Sequence, residues 1–421
     1  MLSLRSNWPS VRNALVLMSG TSSGQLILLA ASPVLTRLYT PEDFGVLALF
    51  AALAQILSIV ASGRYEIAIL LPDDDYDAFN LASLACVIAA GSSIILLVVL
   101  YVFNGAIATS MGVPEIGSWL YLLPVAVFFG AGFNIAQYLN LRHKTYSSVA
   151  RATVSKYIVQ TAMQLGFGFA GVGHAGLVVG ATGANVLVSW PLLKSGLGQT
   201  KLLAVMSRIR MRVLAFEYKQ YPLFSMPAGL LFGLNINMMN FALPVLFSPA
   251  VLGFYSLAMR ALGSPLAVIS HPIGQVFQRE VAQELADTGK AKSSFIRTFM
   301  KLLATSFVVF GLSYFFIVDL FGFIFGEQWI VAGEYALIMI PLFTARFLVA
   351  PLSDLAQLID ARFALGFDAL LLAATCVVIW VSYVNMLQVA EVLSLLSSVL
   401  ACCYVAYLPI LYYLALKGVV K

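Results

Sequence analysis

Charged side chains are scarce: Asp, Glu, Lys and Arg make up 10% of the 421 residues, against 61% hydrophobic residues. An ordinary soluble domain carries roughly 25% charged residues, so this composition excludes the soluble globular class. Cysteine is scarce too. Cys86, Cys376, Cys402 and Cys403 fall in apolar runs without CxxC spacing, which removes a disulfide framework or a zinc site and leaves buried packing. The three histidines, His143, His174 and His271, are scattered over different depths. There is no Gly-rich phosphate loop, HExxH or GxSxG, so acyl, phosphoryl and metal chemistry have no visible constellation. The longest outer loops, NGAIATSMGVPEIGS and DLFGFIFGEQWIVAGE, have no room for a catalytic domain. No catalytic residue and no metal ligand is assigned.

Apolar runs are abundant instead, with a mean hydropathy of +0.93. Each membrane span needs about 20 mostly apolar residues. Twelve such runs are found, at about 13–33, 44–62, 81–103, 118–138, 154–171, 176–193, 222–247, 251–277, 295–318, 335–358, 367–385 and 391–416. The expected fold is therefore an all-α polytopic membrane protein with about 12 transmembrane helices. With the N-terminus inside, the inner segments collect nearly all Lys and Arg, among them Arg64, Arg142, Lys144, Arg151, Lys156, Arg208, Arg210, Arg212, Lys290, Lys292 and Arg362. Arg37 is left outside, and Arg260 and Arg346 within the membrane. Both termini are then cytoplasmic, and the first apolar run, lacking a cleavage site, reads as an uncleaved span. The net charge of +5 reflects this topology and gives no case for nucleic acid.

The chain repeats. LYTPEDFGVLAL at 38–49 and LFSPAVLGFYSL at 246–257 share a Leu, an aromatic, a hydroxyl residue, Pro, Gly and a closing Leu at an offset of 208. Two six-helix halves, 1–193 and 222–421, are expected, joined by a cytoplasmic linker at 194–221. Even-numbered halves share orientation and relate by a pseudo-twofold along the membrane normal, with a cavity and midplane substrate site between them. The linker portion MSRIRMRVLAFEYKQY interleaves basic and apolar residues. It reads equally as an ordinary basic loop or as an amphipathic helix on an anionic leaflet. The consecutive acids Asp73, Asp74 and Asp75, with Asp77, read as a helix N-terminus in preference to a metal site.

An arginine deep in a span costs about 2.5–3.5 kcal/mol on insertion scales and is read as facing a protein interior or wet cavity. Helical spacing puts Arg260, Ser264, His271 and Gln275 on one stripe of the eighth span, which Pro265 and Pro272 can bend. In the tenth span Arg346 and Gln357 share a face, and Asp354 lies on a neighbouring one. Two midplane cations make an anion-attracting cavity; the bland alternative is a fixed ion pair or carbonyl contacts. Arg37 and Arg64 complete the cationic candidates. Asn235 in span seven and Gln25 in span one join the candidate cavity lining, although interhelical hydrogen bonding explains such amides as well. His271 could titrate near neutral pH or act as a hydrogen-bonding partner.

LTRLYTPEDFGVLALF and GRYEIAILLPDDDYDAFNLASL, with GFYSLAMRALGSPLAVISHPIGQVFQRE, FGEQWIVAG and PLFTARFLVAPLSDL, resemble bacterial polysaccharide flippases of the multidrug/oligosaccharidyl-lipid/polysaccharide exporter superfamily. The resemblance covers essentially the whole chain. It implies a multi-pass protein of the bacterial inner membrane that moves undecaprenyl diphosphate-linked oligosaccharide (O-antigen or exopolysaccharide repeat units) from the cytoplasmic to the periplasmic leaflet by alternating access. The implied partners are that lipid-linked substrate, membrane lipids, and a polysaccharide polymerase or assembly proteins. No cofactor is implied, and the driving force is read as the membrane potential, H+ or Na+. The competing readings are an ion-coupled exporter of another amphipathic substrate and a membrane glycan polymerase or ligase. Against the first, span one has no carboxylate of the kind such antiporters carry; against the second, a large polar outer loop is missing.

Overall fold

The computed structural model describes residues 8–197 and 206–417. Among them there are α-helices but no strands. In chain order the helices are α1 Trp8–Leu38, α2 Pro41–Ala61, α3 Tyr65–Ala68, α4 Asp75–Ser110, α5 Gly117–Leu120, α6 Leu123–Arg142, α7 Tyr146–Phe169, α8 His174–Leu197 and α9 Arg208–Glu217. They continue as α10 Met226–Leu246, α11 Pro249–Thr288, α12 Lys292–Phe325, α13 Ile330–Ile359, α14 Ala361–Val384 and α15 Val389–Lys417. Twelve of these have 20 or more residues. Nine are long and apolar enough to cross a membrane, or ten if a bent pair counts as one span. The chain is thus an all-α, multi-pass membrane protein.

The bent pair departs from the straight span expected at 118–138. The segment Pro114–Leu120 meets α6 at 57°. Pro124, near the start of α6, has no N–H to donate, and its ring crowds the carbonyl four residues back, at Leu120, where α5 ends. The remaining two long helices, α1 and α7, fall short of the apolar test because α7 carries Arg151, Lys156, Gln160 and Gln164. They pack on each other. Small residues allow the close approach: a Cβ on Gly20 would stand 2.7 Å from Ala150 Cα, and one on Gly24 would enter the Tyr157 ring. The polar face of α7 is used internally, since Tyr39 Oη donates to Gln164 O at 2.6 Å and Gln164 Nε2 donates to Leu177 O at 3.0 Å.

The chain forms two compact units, Met1–Leu252 and Gly253–Lys421. In the first, α10 packs on α2, with Asn237 Nδ2 donating to Gln55 Oε1 at 3.1 Å. The acid-rich turn before α4 is a helix start. Asp74 caps it, accepting from Tyr76 N at 3.2 Å. Arg142 ties the turn down, donating to Asp75 Oδ1 at 2.8 Å, Pro72 O at 2.6 Å and Ile69 O at 3.1 Å. No group of three or more potential metal ligands occurs among the described residues. In the second unit α13 packs on α12, α14 and α15, and Ala291 N donates to Ala415 O at 2.9 Å.

The internal repeat has a structural counterpart. Thr40 Oγ1 accepts from Asp43 N at 3.3 Å, and Ser248 Oγ, its equivalent 208 residues on, accepts from Val251 N at 3.4 Å. The shared hydroxyl therefore caps the start of α2 and of α11 in the same way. The two segments also touch: a Cβ on Gly45 would lie 2.0 Å from Pro249 O. Backbone cannot yield as a side chain does, so Gly45→Ala should cost about 1–3 kcal/mol, as overpacking does. In detergent, thermal unfolding should fall by several degrees for Gly45→Ala and should not fall for Gly91→Ala, where a Cβ would meet nothing within 4 Å.

Candidate functional site

In the second unit, α11 and α13 run in the same direction and in register. Phe254 meets Tyr335 edge-on at 6.2 Å, Gly263 lies against the Phe343 ring, and Gly274 lies against Pro351 and the Asp354 carboxylate. The residue offset runs from 77 to 81 along this contact, so Arg260 and Arg346 stand about 8–13 Å apart along the helix axes. Arg260 is half-buried and Arg346 exposed. The Arg346 charge reaches the hydroxyls of Tyr255 on α11 and Tyr404 on α15. The same Tyr404 feels Asp368 of α14, whose neighbour Phe367 stacks on Tyr407 with ring centroids 4.0 Å apart. Tyr407 is buried, and its hydroxyl has no hydrogen-bond partner among the described residues. Guanidinium, phenol and carboxylate groups thus gather on four helices that composition alone makes apolar.

The first unit holds a second cation. Gly63 and Arg64 both take positive φ, 61° each, at the end of α2, and this turn swings the Arg64 side chain against α10. A Cβ on Gly229 would lie 2.7 Å from the guanidinium, so the glycine makes the room. Arg64 Nη1 is 3.8 Å from Glu66 Oε1, a loose pair, while Ser62 Oγ donates to Glu66 Oε2 at 2.5 Å. Arg64 Nε is buried without a hydrogen-bond partner among the described residues. Glu66 is 1% exposed, and burial pushes its carboxyl above the usual range, partly offset by the Ser62 hydrogen bond and the Arg64 charge.

Arg37 is exposed at the end of α1, its Nη1 donating to Pro33 O at 2.6 Å. Gln25 and Asn235 are half-buried on α1 and α10, and Ser264 and Gln275 are half-buried on α11. The side chains of His271 and Gln357, like residues 198–205 of the linker, lie outside the described residues.

Residues 34–334 match the model of a family described as polysaccharide biosynthesis protein. The chain belongs to that family. No curated protein matches it by sequence. Among solved structures, the lipid II flippase MurJ in its inward closed conformation is similar with a TM-score of 0.76 at 9% identity, over 94% of this chain and 87% of that one. An inward-facing multidrug resistance MATE family transporter of the MOP superfamily is similar with a TM-score of 0.51 at 12% identity, over 94% and 92% of the chains. The eukaryotic MATE transporter AtDTX14 gives 0.53 at 14% identity, over 96% of each. At such identities the likeness is one of fold, and that fold is a transporter's.

In this polysaccharide biosynthesis protein, two charges on long helices were given no role by the reading of the sequence. Lys156, assigned to an inner loop, sits mid-way along α7 with its ammonium 4.9 Å from the Phe133 ring centroid. Asp368 stands alone in FALGFDALLLAATC, where a carboxylate inside an apolar run was the available signal.

Glu66 gives the site a pH signature. Because burial raises its pKa, the folded protein holds that proton more tightly than the unfolded chain does. The associated stability is complete below about pH 4.3 and is lost as the pH rises through the folded value. Glu66→Gln is neutral at every pH. It should therefore unfold at a higher temperature than the wild type at neutral pH, with the difference closing as the pH falls towards about 4.

Proposed function

We propose that the protein is a flippase that moves undecaprenyl diphosphate-linked oligosaccharide repeat units across the bacterial inner membrane. It would carry them from the cytoplasmic to the periplasmic leaflet by alternating access, with both of its own termini in the cytoplasm. The observation that carries this reading is the pair of guanidiniums, Arg260 and Arg346, about 8–13 Å apart along the axes of two parallel helices in apolar spans. Guanidinium suits bidentate contact with phosphate oxygens, and in a low dielectric that contact is stronger than in water. The hydroxyls of Tyr255 and Tyr404 add donors around Arg346. Arg64, with its unmet buried Nε, offers the same chemistry in the first unit.

Family membership supports a role in polysaccharide biosynthesis, and the transporter fold favours translocation over glycan polymerisation. The lipid tail can stay in the bilayer while the headgroup passes. The membrane potential helps: moving one negative charge outward through an inside-negative potential is favourable by about 2.3 kcal/mol per 100 mV. A proton or sodium cycle is then not required. A MATE-like drug exporter is the second reading, favoured by the fold alone. The carboxylate that the sequence comparison expects in the first span of such exporters is missing from α1.

Deleting the gene should abolish surface glycan and leave lipid-linked repeat units on the cytoplasmic side. Arg260→Ala and Arg346→Ala should each abolish export at normal protein level, with Lys restoring part of it. Full activity of both Ala variants would remove the guanidinium argument. In proteoliposomes, transport should follow an imposed potential; dependence on a pH gradient alone would contradict the charge-driven account.

A further inference from the structure

The helix α9 has two apolar faces but only one of them is covered. Ser207 caps it, accepting from Arg210 N at 3.3 Å, and Ser207 N donates to Asn80 Oδ1 of α4 at 2.9 Å. Arg210 forks onto the Asp77 carboxylate of α4, Nε to Oδ1 at 2.6 Å and Nη2 to Oδ2 at 2.5 Å. Tyr65 Oη of α3 donates to Ala215 O at 2.9 Å. Met211 and Leu214 are buried beneath these bonds, Leu214 within the core formed by α3, α4 and α6. So many fixed contacts leave α9 no freedom to roll.

The opposite face is apolar and bare. Ile209 and Phe216 are each 78% exposed and Val213 46%, and at about 100° per residue the three lie within about 60° of one another. Arg208 and Arg212 are exposed along one flank of this stripe and Glu217 along the other. The clamp sets the stripe beside the first turns of α4, a 36-residue apolar helix. That is the level at which hydrocarbon gives way to headgroups. Leu223 and Phe224, at 58% and 74% exposure, continue the bare apolar surface towards the next span.

We propose that α9 is an interfacial helix that binds anionic phospholipid: Ile209, Val213 and Phe216 enter the acyl boundary, and Arg208 and Arg212 hold phosphate headgroups. Charge selects lipid over a protein partner, because two arginines flank an apolar stripe held beside the start of a long apolar helix. The inference stands on the multi-pass fold and not on what the protein carries. It makes the Arg210–Asp77 fork the hinge pin between bundle and bilayer surface.

The test uses the full-length protein in vesicles of phosphatidylcholine alone or mixed with phosphatidylglycerol. Phe216→Trp and, separately, Ile209→Trp add a fluorophore to the stripe, read as the difference from the unsubstituted protein. With phosphatidylglycerol present, brominated lipid should quench the added emission several-fold more than aqueous acrylamide does, and Arg208→Gln with Arg212→Gln should reverse that preference. Equal acrylamide quenching with and without phosphatidylglycerol would overturn the proposal. So would a fluorophore that neither quencher reaches, since another protein surface would then cover the stripe.

Discussion

A charge in hydrocarbon must be surrounded by something polar, and this constraint accounts for more of the structure than any other single factor. Water is not there to satisfy a guanidinium, so the chain supplies substitutes: tyrosine hydroxyls near Arg346, a carboxylate beneath Arg64, an aromatic face under Lys156. None of these arrangements has the tight, two-pronged geometry of a closed ion pair. The Arg64–Glu66 distance of 3.8 Å, in the turn after α2, contrasts with the Arg210–Asp77 fork, where both oxygens are engaged.

The tight pairs explain how the embedded groups are held. Arg142 locks the turn leading into α4, Arg210 locks α9 onto that helix, and hydroxyl caps start α2 and α11 at equivalent positions of the repeat. Small residues do the rest, letting α1 approach α7 and letting Arg64 pass beside Gly229.

Much of this was legible in the sequence because hydrophobic period and charge placement are strong signals in a membrane protein. The spans, Arg260, Arg346, the acidic helix start at Asp74 and the amphipathic stretch from Ser207 all follow from spacing. Three things did not. The break after Leu120 depends on where the Pro124 ring meets a carbonyl, which an apolar run does not reveal. The setting of Lys156 depends on the Phe133 ring that packing brings under its ammonium, which spacing along α7 does not show. Asp368 was passed over because a single acid acquires meaning only when a neighbouring helix brings tyrosines and an arginine to it. Sequence spacing placed two arginines on separate helices; the parallel packing of α11 and α13 is what brings them within a few turns of the same level.

The central claim is that the embedded arginines recognise a lipid-linked diphosphate. Binding of undecaprenyl diphosphate and undecaprenyl monophosphate to the purified protein, followed by native mass spectrometry in detergent, tests it most directly. The account predicts that the diphosphate is retained more tightly, and that Arg260→Gln and Arg346→Gln each erase the preference while leaving the fold intact. Equal retention of the two lipids by the unsubstituted protein would contradict it.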